Sequence, residues 1–256
     1  MSDLLKGKAV IVTGAASGIG RAIAIAAAQH GAKAVIVSDI IEIPREGGRP
    51  TTGEIEALSV PARFVRTDVA RRSEVDALVE SAAEFGGVDV MVCNAGICLR
   101  SDDPDVPEDD YRRLMAVNLD GVLFGAQAAA RQMKARSKPG SIVLIASMAG
   151  IAGCGVTVAY STSKGGVVLM AKALADALGP DGIRVNSVCP GIIDTELVRT
   201  TPKIAEAAEE FRKRTPLRRT GKPSDIGDAV VWLGSDMSSY VTGIALLVDG
   251  GLLAVI

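Results

Sequence analysis

The sequence predicts an α/β fold: a doubly wound parallel sheet of about seven strands with helices on both faces. Three observations predict it. Short, β-branched apolar runs alternate with longer helical patterns along the whole chain. Most of those runs are apolar throughout, as strands covered on both faces should be. The first run is followed at once by a glycine-rich turn and an Ala-rich helix. No linker or internal repeat divides the chain, so 1–256 reads as a single domain.

In order, the first strand is 8–13, the glycine turn is Gly14-Ala-Ala-Ser-Gly18-Ile-Gly20, and the first helix covers 19–29. Strand, glycine loop and helix in that order form a cradle for a dinucleotide phosphate. The glycines permit a tight turn and close backbone approach, and the helix N-terminus faces the anion. Further strands are expected at 34–38, 62–66, 88–93, 141–146, 184–189 and 244–248. Helices are expected at 73–85, about 107–135, 158–178 and 223–233. In a sheet wound this way, ligands sit at the carboxyl ends of the strands. Residues 40–53, with Pro44, Gly47, Gly48 and Pro50, read as a surface excursion without a catalytic role. The charge-rich segment 194–219 reads as a second, partly helical loop.

Tyr160 and Lys164 are four residues apart in the 158–178 helix and therefore share a face, thirteen residues after Ser147. A free tyrosine titrates near ~10, and bringing it to about 7 takes roughly 4 kcal/mol of differential stabilisation of the phenolate. An ammonium at about 4 Å in an effective dielectric near 20 supplies an interaction of that order. The spacing points to a tyrosine base assisted by a lysine.

Together with the Gly-x-x-x-Gly-x-Gly turn behind Thr13, these residues resemble the short-chain dehydrogenase/reductase family. The resemblance covers essentially the whole chain through Asp68-Val69, Asn94-Ala95-Gly96, Asn118, Ser147, Pro190-Gly191, Thr195 and Asp249-Gly250-Gly251. Cys93 departs from it, standing where the family usually has an asparagine. The resemblance implies a Rossmann-type fold and hydride transfer between an alcohol and a nicotinamide. It implies Tyr160 as general base, Lys164 as its pKa-lowering partner and ribose ligand, Ser147 on the substrate oxygen, and Asn118 holding a water. It places the pyrophosphate on Gly14, Ser17, Gly18, Ile19 and Gly20, with Asn94, Ala95 and Gly96 beside them. Adenine falls to Asp68 and the Val69 backbone, and the carboxamide to Thr195 and the Ile193 backbone beyond Pro190 and Gly191. It makes 194–219 the substrate lid.

Asp39 ends the second strand, where a carboxylate bonds ribose hydroxyls and opposes a 2′-phosphate. Family members preferring NADP often carry a cation at the position of Ser17, so NAD is the expected cofactor. Cys98, Arg100 and Cys154 are expected in the substrate pocket with Ser147 and Tyr160, and Asp102 and Asp103 stand close to Arg100 in sequence. The Cys-Asn-Ala-Gly-Ile-Cys stretch and the chain ending look like bacterial NAD-dependent sugar or polyol dehydrogenases. A 3-oxoacyl carrier-protein reductase is the alternative within the family, and a non-catalytic dinucleotide sensor the alternative outside it.

Composition narrows the partners. A net charge of -2 without a basic block, and 3% aromatic residues, point away from nucleic acid. The 48% hydrophobic residues suffice to fill one large core. Four cysteines without C-x-x-C spacing read as free thiols in a reducing compartment, and no secretory signal follows Asp3, so a cytoplasmic site is expected. His30 is the only histidine, which argues against His-based triads and zinc sites, and no metal is expected. The uncharged run 142–160 has the length of a membrane span, but its serine and glycines make it a buried strand and an active-site loop. The weakly charged 158–178 helix and the apolar ending point to a homotetramer, as is common in the family.

Overall fold

The computed structural model describes residues 3–99, 105–196 and 209–255. Seven parallel strands form one sheet in the order β3-β2-β1-β4-β5-β6-β7. They are β1 (Ala9–Thr13), β2 (Ala34–Asp39), β3 (Ala62–Arg66), β4 (Val90–Cys93), β5 (Gly140–Ile145), β6 (Ile183–Pro190) and β7 (Ala245–Val248). The strands lie where the apolar runs predicted them, within two residues at either end. Among the described residues the helices include α1 (Gly18–Gln29), α2 (Thr51–Glu56), α3 (Arg72–Glu80), α4 (Glu108–Met115), α5 (Gly121–Ala135), α6 (Ala149–Ala152), α7 (Val158–Leu178) and α8 (Pro223–Gly234).

Strand residues alternate between two cores. Ile11, Met91, Ile142 and Val185 face Val75, Leu78, Val122, Ala126, Val167 and Ala171 of α3, α5 and α7. Val10, Val12, Val35, Val143 and Val188 face Ile23, Ala27, Ile55, Ile226 and Val230 of α1, α2 and α8. Central strands are therefore buried on both sides, and only the edge strands β3 and β7 carry partly exposed residues throughout. The order reverses between β1 and β4, which opens a crevice at their carboxyl ends.

Three expectations need correction. The helix expected at 107–135 is interrupted at Ala116–Asp120 by a π-helical turn, which the 3.6 period does not foresee. The 73–85 helix tightens into a 3-10 turn over Ser81–Phe85 and stops at Gly86, whose φ of 78° is left-handed. Residues 51–53 of the excursion already belong to α2; its Thr-Thr-Gly start is a poor helix former, and burial of Thr51 and Ile55 holds it instead.

Candidate active site

The glycine turn after β1 and the Asn94 turn after β4 are fastened together. Thr13 Oγ1 accepts the N–H groups of Asn94 at 2.9 Å and Ala95 at 3.1 Å. The Asn94 amide in turn donates to the carbonyls of Thr13 at 2.8 Å and Gly14 at 3.2 Å. Close approach requires glycine at two positions. A Cβ on Gly20 would lie 2.1 Å from the Gly14 oxygen, and one on Gly14, where φ is 64°, would lie 2.8 Å from Ala95 Cα. Cys93, in place of the family asparagine, points instead into the core, where a Cβ on Gly125 would meet its sulfur at 2.8 Å. Burial pushes this thiol up to about 12.

Beyond the turn, α1 presents its N-terminus with no acidic residue in its first turn and no cap from the Ser17 side chain. Asp39 faces it. Its carboxylate oxygens accept the N–H groups of Ala16 at 3.1 Å and Ile40 at 2.8 Å. Asp68 accepts from Ala70 N–H at 3.0 Å and lies 3.5 Å from Arg71 Nε, while Val69 is buried.

The chemistry-bearing residues gather at the far end. β5 delivers Ser147, whose hydroxyl accepts the Ala149 N–H at 3.1 Å and shares the cavity wall with Tyr160. Desolvation pushes the Tyr160 phenol up to about 12; Cys98 adds to the rise and the neighbouring Ser147 hydroxyl opposes it. Lys164 is buried, and desolvation brings its ammonium down to about 8 against the opposing influence of Cys189 and Cys98. The ammonium donates to the Ile145 carbonyl at 2.7 Å and lies 5.7 Å from the centre of the Tyr160 ring. Burial moves the phenol in the direction opposite to the lowering the spacing predicts, while the lysine charge rests on the carbonyl at the end of β5.

Asn118 is fully buried within the π-helical turn. Its side chain accepts the Ile97 N–H at 2.8 Å, donates to the Ile97 carbonyl at 2.8 Å, and reaches Ser163 Oγ at 3.3 Å. It pins the segment that carries Gly96 and Cys98. Across the crevice, Gly191 N–H donates to Val248 and Ile193 pairs with Gly221, which sets Pro190, Gly191, Ile193 and Thr195 along one wall.

One cavity of about 970 Å³ joins these groups, running from Asp39, Asp68 and Val69 past Gly14, Ser17, Gly18, Ile19 and Gly20 to Ser147, Tyr160 and Lys164. That is the upper end of the roughly 300–1,000 Å³ typical of cofactor sites. Its shape and the glycine cradle fit a nicotinamide dinucleotide. Cys98 and Cys154 line it, as expected, and Arg100, Asp102 and Asp103 fall outside the described residues, as does 197–208 of the expected lid. Sequence reasoning missed Arg45 and Glu46 from the excursion, Arg113 from α4, and Phe211 from the charge-rich 194–219 segment as residues on the cavity wall. Only Phe211 carried a signal, as an aromatic within a charge-rich segment. Among the described residues no group of His, Cys, Asp or Glu is arranged to hold a metal, and no helix is long and apolar enough to cross a membrane.

Fold and site together define a dinucleotide-binding α/β oxidoreductase. The chain belongs to the short-chain dehydrogenase/reductase family. A family model described as enoyl-(acyl carrier protein) reductase matches residues 14–253. The chain is 46% identical over 250 residues to the L-rhamnose 1-dehydrogenase (NAD(P)(+)) of Sphingomonas sp. strain SKA58, with 97% of each covered. It is 42% identical over 250 residues to the protein of the same name from Azotobacter vinelandii strain DJ, covering 97% of this chain and 98% of the relative. The crystal structure of a candidate 2-deoxy-D-gluconate 3-dehydrogenase from Agrobacterium tumefaciens with bound NADP superposes with a TM-score of 0.87 at 34% identity, covering 98% of both chains.

Proposed function

We propose that this chain is a dehydrogenase that oxidises a hydroxyl of an aldose or polyol, with a deoxyhexose such as L-rhamnose the first substrate to try, and that NAD is its preferred cofactor. The observation that carries the reading is the gathering of Ser147, Tyr160 and, one helical turn further on, Lys164 on the wall of one cavity that also takes in the glycine cradle. The names of the Sphingomonas and Azotobacter relatives support a sugar substrate.

In this reading Ser147 donates to the substrate oxygen and Tyr160 takes the hydroxyl proton as the carbinol hydrogen leaves with its electron pair. The nicotinamide, when bound, supplies the hydride acceptor. Lys164 lies on the helix face of Tyr160, and turning its ammonium from the Ile145 carbonyl towards the phenol lowers the phenol from about 12. Asn118 keeps Ile97 and Cys98 in place beside it. Cofactor would be held by Lys164 at the nicotinamide ribose, by Ile193 and Thr195 at the carboxamide, by Asp39 at the adenosine ribose, and by Asp68 and Val69 at the adenine.

Asp39 supports NAD, because a 2′-phosphate there meets a carboxylate. Arg45 lines the same cavity and moderates the preference. Residues 194–219 serve as the lid, supported by Thr195, Glu196 and Phe211 on the cavity wall. Exposed Val158 and Leu169 on α7 and Val255 near the end support a homotetramer, and the free cysteines support a cytoplasmic setting. The test is the appearance of reduced cofactor with L-rhamnose and a panel of aldoses, polyols, secondary alcohols and 3-hydroxy esters. Turnover of 3-hydroxyacyl thioesters with no sugar or polyol oxidised would overturn the substrate assignment.

A further inference from the structure

The excursion after β2 is fastened to the glycine turn at four points. At its start, Asp39 Oδ2 accepts the Ala16 N–H at 3.1 Å. At its end, Thr51 Oγ1 donates to the carbonyl of Ala15 at 2.9 Å and reaches that of Ala16 at 3.2 Å. Between these anchors, Arg45 N–H donates to Ser17 Oγ at 2.8 Å, and Gly18 N–H donates to Glu46 Oε1 at 3.1 Å. The last contact seats a carboxylate on the N-terminus of α1, the position at which the reading above puts a cofactor phosphate.

We infer that residues 40–50 form a strap over the phosphate cradle, and that Glu46 is an internal occupant which a nucleotide phosphate must displace. The inference rests on the proposed function for what enters the cradle; what it adds is the competitor.

Charge, anchoring and hinge each favour this assignment. First, α1 has no acid in its first turn, and Glu46 supplies the missing negative charge from 28 residues away. A phosphate oxygen and a carboxylate oxygen compete for the same N–H, and their like charges repel at that range. Second, the outer anchors are built to stay. Thr51 is buried, and Arg21 Nη1 donates to its hydroxyl at 3.0 Å. The inner contacts are built to part, since Arg45 and Glu46 are both exposed. Third, a hinge follows at once. Gly47 and Gly48 have φ of 76° and 87°, and a Cβ on either would meet nothing within 4 Å. Backbone freedom, not packing, governs that point.

A carboxylate at an exposed helix N-terminus is held by an energy that corresponds to about a fivefold preference for the seated state. Affinity for any phosphate-bearing ligand then falls by about the same factor, because only the open fraction binds.

Glu46→Gln and Glu46→Ala test this by calorimetry with three probes: NAD, ADP and adenosine. Both variants should bind NAD and ADP about fivefold more tightly, move adenosine by less than twofold, and melt at a lower temperature without ligand. A strap that merely supports the fold would lower the melting temperature and leave ADP unmoved. A Glu46 that contacts bound cofactor would weaken NAD. Either result overturns the inference. If the wild-type chain bound none of the three, the cofactor reading would fall and the inference with it, whereas normal wild-type binding with unimproved variants would sink the strap alone.

Discussion

Lys164 donates its buried ammonium to the carbonyl oxygen of Ile145, 2.7 Å away, and not to the phenol of Tyr160. A buried charge must be hydrogen-bonded, and the carbonyl at the end of β5 is the acceptor that α7 brings within reach. The consequence is a site in which the ligand-free tyrosine is neutral and the lysine is costly to keep charged.

That cost is measurable. Lys164 titrates near 8 in the folded chain against an ordinary 10.5, so between those values the unfolded chain holds more protons. Stability therefore rises with pH through that window and is lost as pH falls towards 8. Tyr160, raised from 10.0 to about 12, acts oppositely and lowers stability as pH climbs from 10 to 12. Lys164→Met should raise the ligand-free melting temperature at pH 7 and gain progressively less above pH 8, while losing turnover and weakening cofactor binding. The desolvation relieved is on the order of 3 kcal/mol, set against about 1 kcal/mol for the lost bond to Ile145. Thermal scans at pH 7 and 9.5 check the sign; a fall in melting temperature at pH 7 would refute it.

Tyr160→Phe removes only the phenol oxygen. Turnover should drop by at least about a thousandfold, within the general-base range, while NAD affinity measured by fluorescence titration stays close to wild type. A variant retaining more than a small fraction of kcat would mean that another group takes the proton.

Most of this was legible because periodicity and burial agree. The strands at 34–38 and 141–146 are almost wholly apolar or β-branched and buried in a parallel sheet, so local pattern and tertiary setting coincide. Tyr160, Lys164, Ser147 and the glycines were legible because their chemistry needs fixed spacings. The π-helical turn around Asn118 was not, and the side chain it carries closes on Ile97, a residue 21 positions away. Nor was the role of Glu46, which depends on a contact across 28 positions that composition read as a solvated loop. The resting place of the Lys164 charge was hidden for the same reason: its partner, Ile145, is on another element.

Asp39→Asn keeps one acceptor oxygen for the Ala16 or Ile40 N–H and removes the charge. The ratio of kcat/KM for NADP to that for NAD should rise about tenfold, roughly 1.4 kcal/mol, chiefly through NADP. Asp39→Ala should shift the ratio similarly but also melt earlier, because both N–H groups lose their acceptor. An unchanged ratio in both variants would remove Asp39 from cofactor choice.

Leu169 on α7 is 66% exposed and Val255 is 65% exposed, which leaves apolar side chains in water unless another subunit covers them. Light scattering at micromolar concentration should report four times the chain mass of 26.4 kDa, and Leu169→Glu should reduce it. A wild-type monomer would rule the assembly out.

Gly150 and Gly155 flank the same short stretch between Ser147 and Tyr160, yet they differ in what an added methyl would meet. A Cβ on Gly150 would stand 2.5 Å from the Lys164 carbonyl carbon and 2.6 Å from its oxygen, both backbone atoms of α7 that cannot rotate away. A Cβ on Gly155 would meet nothing within 4 Å. Gly150→Ala must therefore push α6 and α7 apart, moving Tyr160 and Lys164 relative to Ser147. Overpacking of this kind costs typically 1–3 kcal/mol, and a displacement of about 1 Å in a catalytic group can cost a hundredfold in rate. Gly155→Ala should leave melting temperature and kcat within experimental scatter of wild type, and Gly150→Ala should lower both, with kcat falling more than cofactor affinity. Equal tolerance at the two positions would show that α6 and α7 do not pack closely enough to set the catalytic geometry.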